Sequence, residues 1–357
     1  MQSHLVLVGG FLGAGKTTLL LAAARRLAAR GMRVGLVTND QGQDLVDTAL
    51  AASGDIPVHE VTGGCFCCRF PDLVAAVEQL QHSVQPDVIL AEPVGSCTDL
   101  VATVLRPLRA YHAATVTIAP LTVLVDPLRD LAPFSGDVAY LHEQQLAEAE
   151  LLVLTKCDLL GGDEAARRMA QLRLQYPRAT VLGLSAHNGA GLDEWLAHCE
   201  GQAGALQHAL DLDYGRYSDA EAALGWLNAS GELHATRPFA ADMWLAGALT
   251  MLDQALFHEG AAIAHIKLHL ETPAATLKAS LTRSGGPITW DLHRDGVRAE
   301  HARLLINARV HCDPAILERV VRRLSQETPS WITCTLTRLD SFSPAPPQPT
   351  YRLNGAA

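Results

Sequence analysis

The sequence has no basic stripe, no long apolar run, no internal repeat and no histidine cluster, and each absence narrows what the chain can do. Its 357 residues carry 28 Lys and Arg against 38 Asp and Glu, a formal net charge of −10. Nucleic-acid binding needs clustered cations to meet the phosphates, so no nucleic-acid partner is expected. No apolar stretch nears the roughly 20 residues that span a bilayer. The first apolar run, Leu5 to Val8, passes straight into a glycine-rich loop rather than a secretory cleavage site. The expectation is therefore a cytoplasmic chain with no membrane partner. Thiols stay reduced in that compartment, so the eight cysteines do not suggest a disulfide framework. Three of the eight lie within four residues, which needs its own explanation.

What is present is an ordinary globular composition, 48% hydrophobic and 18% charged, long enough for two domains. Apolar, strand-like runs fall at residues 5–8, 34–37, 58–61, 88–91, 116–125, 151–154 and 181–184. Helical patterns lie between several of them, at 17–30, 71–82 and 163–175. Alternating strands and helices predict a mostly parallel sheet with helices on both faces, occupying residues 1–200, with its ligands at the carboxyl ends of the strands. Residues 201–238 read as a linker region. A helix at 242–257, strands near 264–270, 276–282 and 304–310, a helix at 314–324 and a strand at 331–336 predict a small α+β domain over 239–342. The proline-rich stretch from Ser343 onward predicts a disordered tail, 343–357.

Gly10-Phe11-Leu12-Gly13-Ala14-Gly15-Lys16-Thr17 fits G-x-x-x-x-G-K-[ST] between a strand and a helix. Glycines let backbone N–H groups turn toward phosphates, and the helix start adds a favourable dipole. Gly10, Gly13, Ala14, Gly15 and Thr18 are expected around the phosphates. Lys16 is expected on the β- and γ-phosphates, with the Thr17 hydroxyl on Mg²⁺. Thr155-Lys156-Cys157-Asp158, after a later strand, fits [NT]-K-x-D. A carboxylate at Asp158 can accept from N1–H and the 2-amino group of guanine, whereas adenine would leave that charge unpaired. Lys156 can cover the base, and Ser185-Ala186 can offer a backbone N–H to the guanine oxygen. The pattern predicts hydrolysis of GTP. Glu92, ending the strand at 88–91, is expected to act through Mg²⁺, and Gly95 to sense the γ-phosphate. Asp47 is a further Mg²⁺ candidate, and Asp44 reads as a capping residue. No catalytic glutamine or arginine finger can be assigned, and Arg69 is the one candidate cation.

Gly63-Gly64-Cys65-Phe66-Cys67-Cys68 follows the strand at 58–61, at the same sheet edge as the phosphate loop. Three thiolates suit zinc and other thiophilic metals and leave a fourth tetrahedral position open, as transfer requires. A redox or packing cluster is the competing reading. Cys97, Cys157, Cys199, Cys312 and Cys334 read as structural singletons.

Taken in this order, G-G-F-L-G-A-G-K-T-T-L-L, G-G-C-x-C-C and T-K-x-D resemble the CobW-like metallochaperone GTPases, relatives of the hydrogenase and urease nickel-insertion GTPases. The resemblance covers the chain to about residue 200. It implies zinc or cobalt at Cys65, Cys67 and Cys68, with GTP hydrolysis controlling release to a client metalloprotein, and it admits a homodimer. Two departures stand out. Asp40 and Gln43 replace the family's acidic positions after the second strand, and Pro93 and Val94 replace its threonines. Two other readings are a GTP-regulated binding module with structural zinc and an assembly GTPase for a cobalamin-dependent enzyme.

Overall fold

The computed structural model describes residues 2–40, 56–201, 203–206 and 209–354. The apolar runs of the first half form β1 (Ser3–Gly10), β2 (Val34–Asp40), β3 (Val58–Thr62), β4 (Val88–Glu92), β5 (Val116–Ile118), β6 (Thr122–Val125), β7 (Leu151–Leu154) and β8 (Thr180–Gly183). They pair only in parallel, in the order β3-β2-β4-β1-β6-β7-β8, with β5 also beside β1. Residues 116–125, expected as one strand, are two short strands on β1. Pro120 separates them, because it has no N–H to give to the ladder.

The helices on this sheet are α1 (Lys16–Ala29), α2 (Phe70–Ser83), α3 (Arg106–Tyr111), α4 (Gly136–Ala147), α5 (Gly162–Gln175) and α6 (Leu192–Gly201). Leu19, Leu20 and Leu27 of α1 pack with Trp195 and Leu196 of α6 in one core. Leu73 and Val77 of α2 and Val138 and Leu141 of α4 belong to another core. Each fully buried leucine contributes about 1.5–3 kcal/mol, which holds a helix against each face of the sheet. Strands covered on both faces are apolar throughout, which is why they stand out in the sequence.

The region expected as a linker, 201–238, instead contains α7 (Tyr214–Ala222), capped by Asp213, and most of β9 (Leu224–Ala240). β9 pairs along its length with β13 (Arg298–His311) on one side and β14 (Ile332–Phe342) on the other. Gly225, Asn228, Ser230 and Gly231 hide it from a propensity reading, but ladders on both sides override weak strand propensity. Gly231 is also required by space, because a Cβ there would lie 2.5 Å from the Thr335 carbonyl oxygen. The second sheet is antiparallel, in the order β12-β11-β10-β13-β9-β14, with β10 at Ala262–Glu271, β11 at Thr276–Leu281 and β12 at Thr289–Leu292. One face carries Leu268, Leu277, Leu304 and Ile306, packed with α8 (Ala241–His258) and α9 (Pro314–Arg322). A short α10 (Leu324–Glu327) follows. The alternate residues of these strands, which are polar, point the other way.

That polar face meets the first domain. Arg129 Nη2 donates to the carbonyls of Leu12 at 2.6 Å and Ala264 at 2.8 Å. Arg283 Nη1 donates to Leu128 O at 2.9 Å. Burial pulls the Arg129 guanidinium down to about 10.

The segment after β14, expected to be disordered, is tied down as far as it is described. The Thr350 N–H donates to Cys67 O and the Leu353 N–H to Ala102 O, each at 2.9 Å. Arg352 Nε donates to Asp99 Oδ2 at 2.7 Å, and the Tyr351 ring packs 5.3 Å from both Phe70 and Tyr111. Composition counts few apolar groups here, but these anchors find specific partners that composition cannot foresee. No helix among the described residues is long and apolar enough to cross a membrane.

Candidate nucleotide and metal centres

β1 ends at Gly10 and α1 begins at Lys16, so the loop between them sits at the carboxyl edge of the sheet. Gly10 has φ 130°, and a Cβ there would lie 2.8 Å from the Leu124 carbonyl oxygen. Gly13 has φ 79°, which glycine alone adopts without strain. α1 has no acidic residue in its first turn, so its dipole is available to an anion. The Ala14 N–H is bonded back to Phe11 O at 3.1 Å, and Thr155 Oγ1 donates to Ala14 O at 3.0 Å. Lys16 Nζ donates to Gly10 O at 2.9 Å.

Thr17 Oγ1 donates to Glu92 Oε2 at 2.9 Å and lies 3.1 Å from Oε1. A hydroxyl from the start of α1 and a carboxylate from the end of β4 thus share one point, and this oxygen pair suits Mg²⁺. A Cβ on Gly95 would be 3.0 Å from Lys16 Nζ, so the segment after β4 lies against Lys16. Lys16, Thr17, Thr18, Glu92, Gly95 and Lys156 line one cavity.

At the base end, Lys156 adopts φ 55° and its Nζ donates to Asp126 Oδ2 at 2.7 Å and to Gly13 O at 3.0 Å. Asp126 was not foreseen from the sequence; its signal is an acid one residue beyond the end of β6. Asp158 is exposed in the short turn that follows Lys156. Ser185 is buried and its N–H donates to Ala190 O at 2.9 Å, while Ala186 is half-buried beyond it. Asp158, Ser185 and Ala186 lie outside the lining of the phosphate cavity. Gln43, Asp44 and Asp47 lie outside the described residues. Arg69 is half-exposed, pairs with Asp72 at 2.5 Å and does not line the cavity.

The cysteines occupy a tight turn closed by Cys68 N–H and Arg69 N–H donating to Cys65 O at 3.0 and 2.9 Å. The sulfurs converge: Cys65–Cys67 2.6 Å, Cys65–Cys68 3.2 Å and Cys67–Cys68 3.7 Å. Tetrahedral zinc with Zn–S of about 2.3 Å needs S–S edges of about 3.8 Å, so a modest spreading admits the ion. Hydrogen bonds from Cys67 and then Cys68 hold the Cys65 thiol well below the usual thiol range. The hydrogen bond with Cys65 in turn pushes Cys67 up and takes Cys68 to about 11. Three converging sulfurs are the donor set of a soft-cation site, and that set fits zinc. The Cys97 thiol, fully buried on the loop after β4, is pushed well above the usual thiol range by burial and then by its interaction with Cys65. It was read as a structural singleton, and the converging sulfur group is formed by the other three.

Asn39, near the end of β2, was likewise missed. Its Nδ2 donates to Val61 O at 2.9 Å and Gly64 O at 2.8 Å, and its Oδ1 accepts from the Phe66 N–H at 2.9 Å. The same residue lines the phosphate cavity, so one buried side chain touches both centres. Glu232, His234 and His301 also bring ligand atoms within 4.8 Å of one another, on an exposed part of β9 and β13. The two histidines are distant in sequence and opposite in register, so no cluster showed in the sequence.

A sequence profile described as "CobW/HypB/UreG, nucleotide-binding domain" matches residues 4–182. A zinc chaperone CobW of Pseudomonas aeruginosa is 30% identical over 209 residues, covering 49% of this chain and 54% of that protein. The zinc chaperone YjiA of Escherichia coli is 26% identical over 184 residues, covering 49% and 56%. The chain thus spans about half the length of the curated relatives it matches. The crystal structure of Zn(II)-bound YjiA GTPase from E. coli aligns with a TM-score of 0.35 and 13% identity, covering 91% of this chain and 99% of that one.

Proposed function

Because the chain belongs to the CobW/HypB/UreG family of nucleotide-binding proteins, we propose that it hydrolyses GTP and uses the cycle to hand a thiophilic metal to a client metalloprotein. The observation that carries this reading is Asn39, which joins the phosphate cavity to the backbone of the cysteine loop. The metal is cargo, held by Cys65, Cys67 and Cys68. Zinc is the first choice and cobalt the second.

In this reading Lys16 and the loop N–H groups bind the β- and γ-phosphates, and Asp158 selects guanine. Thr17 and Glu92 hold Mg²⁺, which would supply charge neutralisation at the phosphates. Water oxygen bonds to the γ-phosphorus, and the bond to the bridging oxygen breaks with its electron pair leaving on GDP. The water proton passes to phosphate and solvent. Loss of the terminal phosphate frees the segment from Glu92 to Gly95, and Asn39 carries the change to the cysteine loop.

A GTP-regulated module with structural zinc is the second reading. The Gln348 N–H donating to Cys68 Sγ at 3.2 Å favours it, because that contact closes one side of the sulfur cluster. Zinc titration of the full chain in GDP and in a non-hydrolysable GTP analogue separates the two. A shift in zinc affinity between the nucleotide states is expected for the metallochaperone, and equal affinities would leave the structural module.

A further inference from the structure

The strands of the second sheet send alternate residues into their own core: Leu227, Ala229 and Leu233 from β9, and Ala302, Leu304 and Ile306 from β13. The same alternation turns Glu232, His234 and His301 to the opposite face. Glu232 and His234 stand two positions apart on β9, and register sets His301 directly opposite His234. Residues paired in this way have Cβ atoms about 4.5–5.5 Å apart. The two imidazole rings lie 4.6 Å apart, centroid to centroid. Glu232 Oε2 is 3.1 Å from His234 Nε2 and 3.9 Å from His301 Nε2.

Two nitrogens and a carboxylate oxygen thus converge on one point from two strands. A tetrahedral ion with bonds of about 2.0–2.2 Å needs ligand edges of about 3.3–3.6 Å, so small side-chain rotations admit it. Imidazole suits zinc and the metals near it, and the carboxylate supplies negative charge. The surroundings leave the group accessible. Thr333 and Thr335 of β14 stand opposite His234 and Glu232, and both are exposed and neutral. Arg303 stands opposite Glu232 on β13, with Glu271 of β10 opposite it on its other side. Glu232, His234 and His301 are 50%, 58% and 48% exposed, so an ion can enter from solvent and keep a coordination position open.

We propose that Glu232, His234 and His301 form a second metal site, which takes a borderline divalent ion such as Zn²⁺ or Co²⁺ through two nitrogens and one oxygen. It shares no residue with the cysteine turn. It is also remote from the phosphate cavity. Arg309 lines that cavity, and His301 lies about 26 Å further along β13, at about 3.3 Å per residue. The inference is independent of the GTPase reading and of the thiol site.

The test is zinc titration of the full chain against a chromophoric chelator, with Cys65, Cys67 and Cys68 intact and with all three replaced by serine. The serine chain should still take up zinc. In it, Glu232→Gln, His234→Gln and His301→Gln should each weaken binding by about 10-fold or more, since loss of even an outer-shell partner costs about 10–100-fold. His258→Gln, an exposed histidine at the end of α8, should stay within about twofold of the serine chain. Co²⁺ bound to the serine chain should give weak d–d absorption without a thiolate charge-transfer band, and His234→Gln should remove it. The three residues are exposed, so their variants should keep the parent unfolding midpoint in urea. If the serine chain does not fold, the unaltered chain and its His234→Gln variant carry the test, with one zinc ion fewer expected in the variant. A folded serine chain that takes up no zinc overturns the proposal and leaves the thiol site standing. Zinc uptake that none of the three variants weakens, or that His258→Gln weakens equally, assigns binding to scattered surface histidines and overturns it too.

Discussion

Replacing Asn39 by alanine should uncouple the two centres without touching a ligand of either. The side chain makes three buried hydrogen bonds, two to carbonyls of β3 and the glycine pair and one from the Phe66 N–H. A buried backbone group left without its partner costs about 1–3 kcal/mol, and relaxation recovers part of that, so about 2–5 kcal/mol of stability should be lost. The cysteine loop then loses its tether to the end of β2. Coupling between linked sites is commonly about 5–150-fold in affinity, and Asn39→Ala should reduce it to less than about threefold. Asn39→Asp keeps the acceptor for Phe66 N–H but sets a carboxylate against two carbonyls, so it should fall between wild type and alanine. The assay is competition of the protein with a chromophoric zinc chelator, run in GDP and in a GTP analogue, alongside urea unfolding. A variant that is destabilised as stated yet retains the full wild-type coupling would refute the reasoning, because the tether would then be structural only.

Lys16→Ala should abolish GTP turnover, measured as phosphate release, by removing the cation at the β- and γ-phosphates. Asp158→Asn should weaken GTP binding by about 3 kcal/mol or more and favour xanthine nucleotides in competition binding; equal ATP and GTP affinities in wild type would end the guanine reading. Glu148 is fully buried, accepts from Thr98 Oγ1 at 3.2 Å, and burial raises its carboxyl to about 8. A folded pKa above the unfolded value means the native state holds a proton that the unfolded chain releases. Its contribution is therefore complete below about pH 4.3 and declines as pH rises to about 8, by roughly 1.4 kcal/mol per unit. The stability advantage of Glu148→Gln over wild type, read from thermal unfolding, should grow across that window; a constant difference would count against a buried, protonated Glu148.

Much of the first domain was legible because its determinants are contiguous. Gly10 to Thr17, Thr155 to Asp158 and Cys65 to Cys68 are each contiguous stretches, so their spacing alone suggests a chemistry for each. The strands were legible because burial on both faces leaves an uninterrupted apolar run. β9 was not, because its two glycines and its polar residues look like a connector until β13 and β14 flank it. The segment after Ser343 was not, because the Tyr351 and Arg352 side chains and a few N–H groups anchor it rather than any periodic pattern.

The sequence by itself determined the glycine-rich loop between β1 and α1, the T-K-x-D segment after β7 and the three-cysteine turn after β3, since each is written in neighbouring residues. Tertiary structure alone decided what links them and what gathers elsewhere. Asn39 reaches the cysteine loop through hydrogen bonds to residues more than twenty positions away. Glu232, His234 and His301 converge only because strand alternation turns them out of their own core and the register of β9 and β13 sets the two histidines opposite each other. Such contacts depend on register and packing between distant segments, which local spacing does not encode.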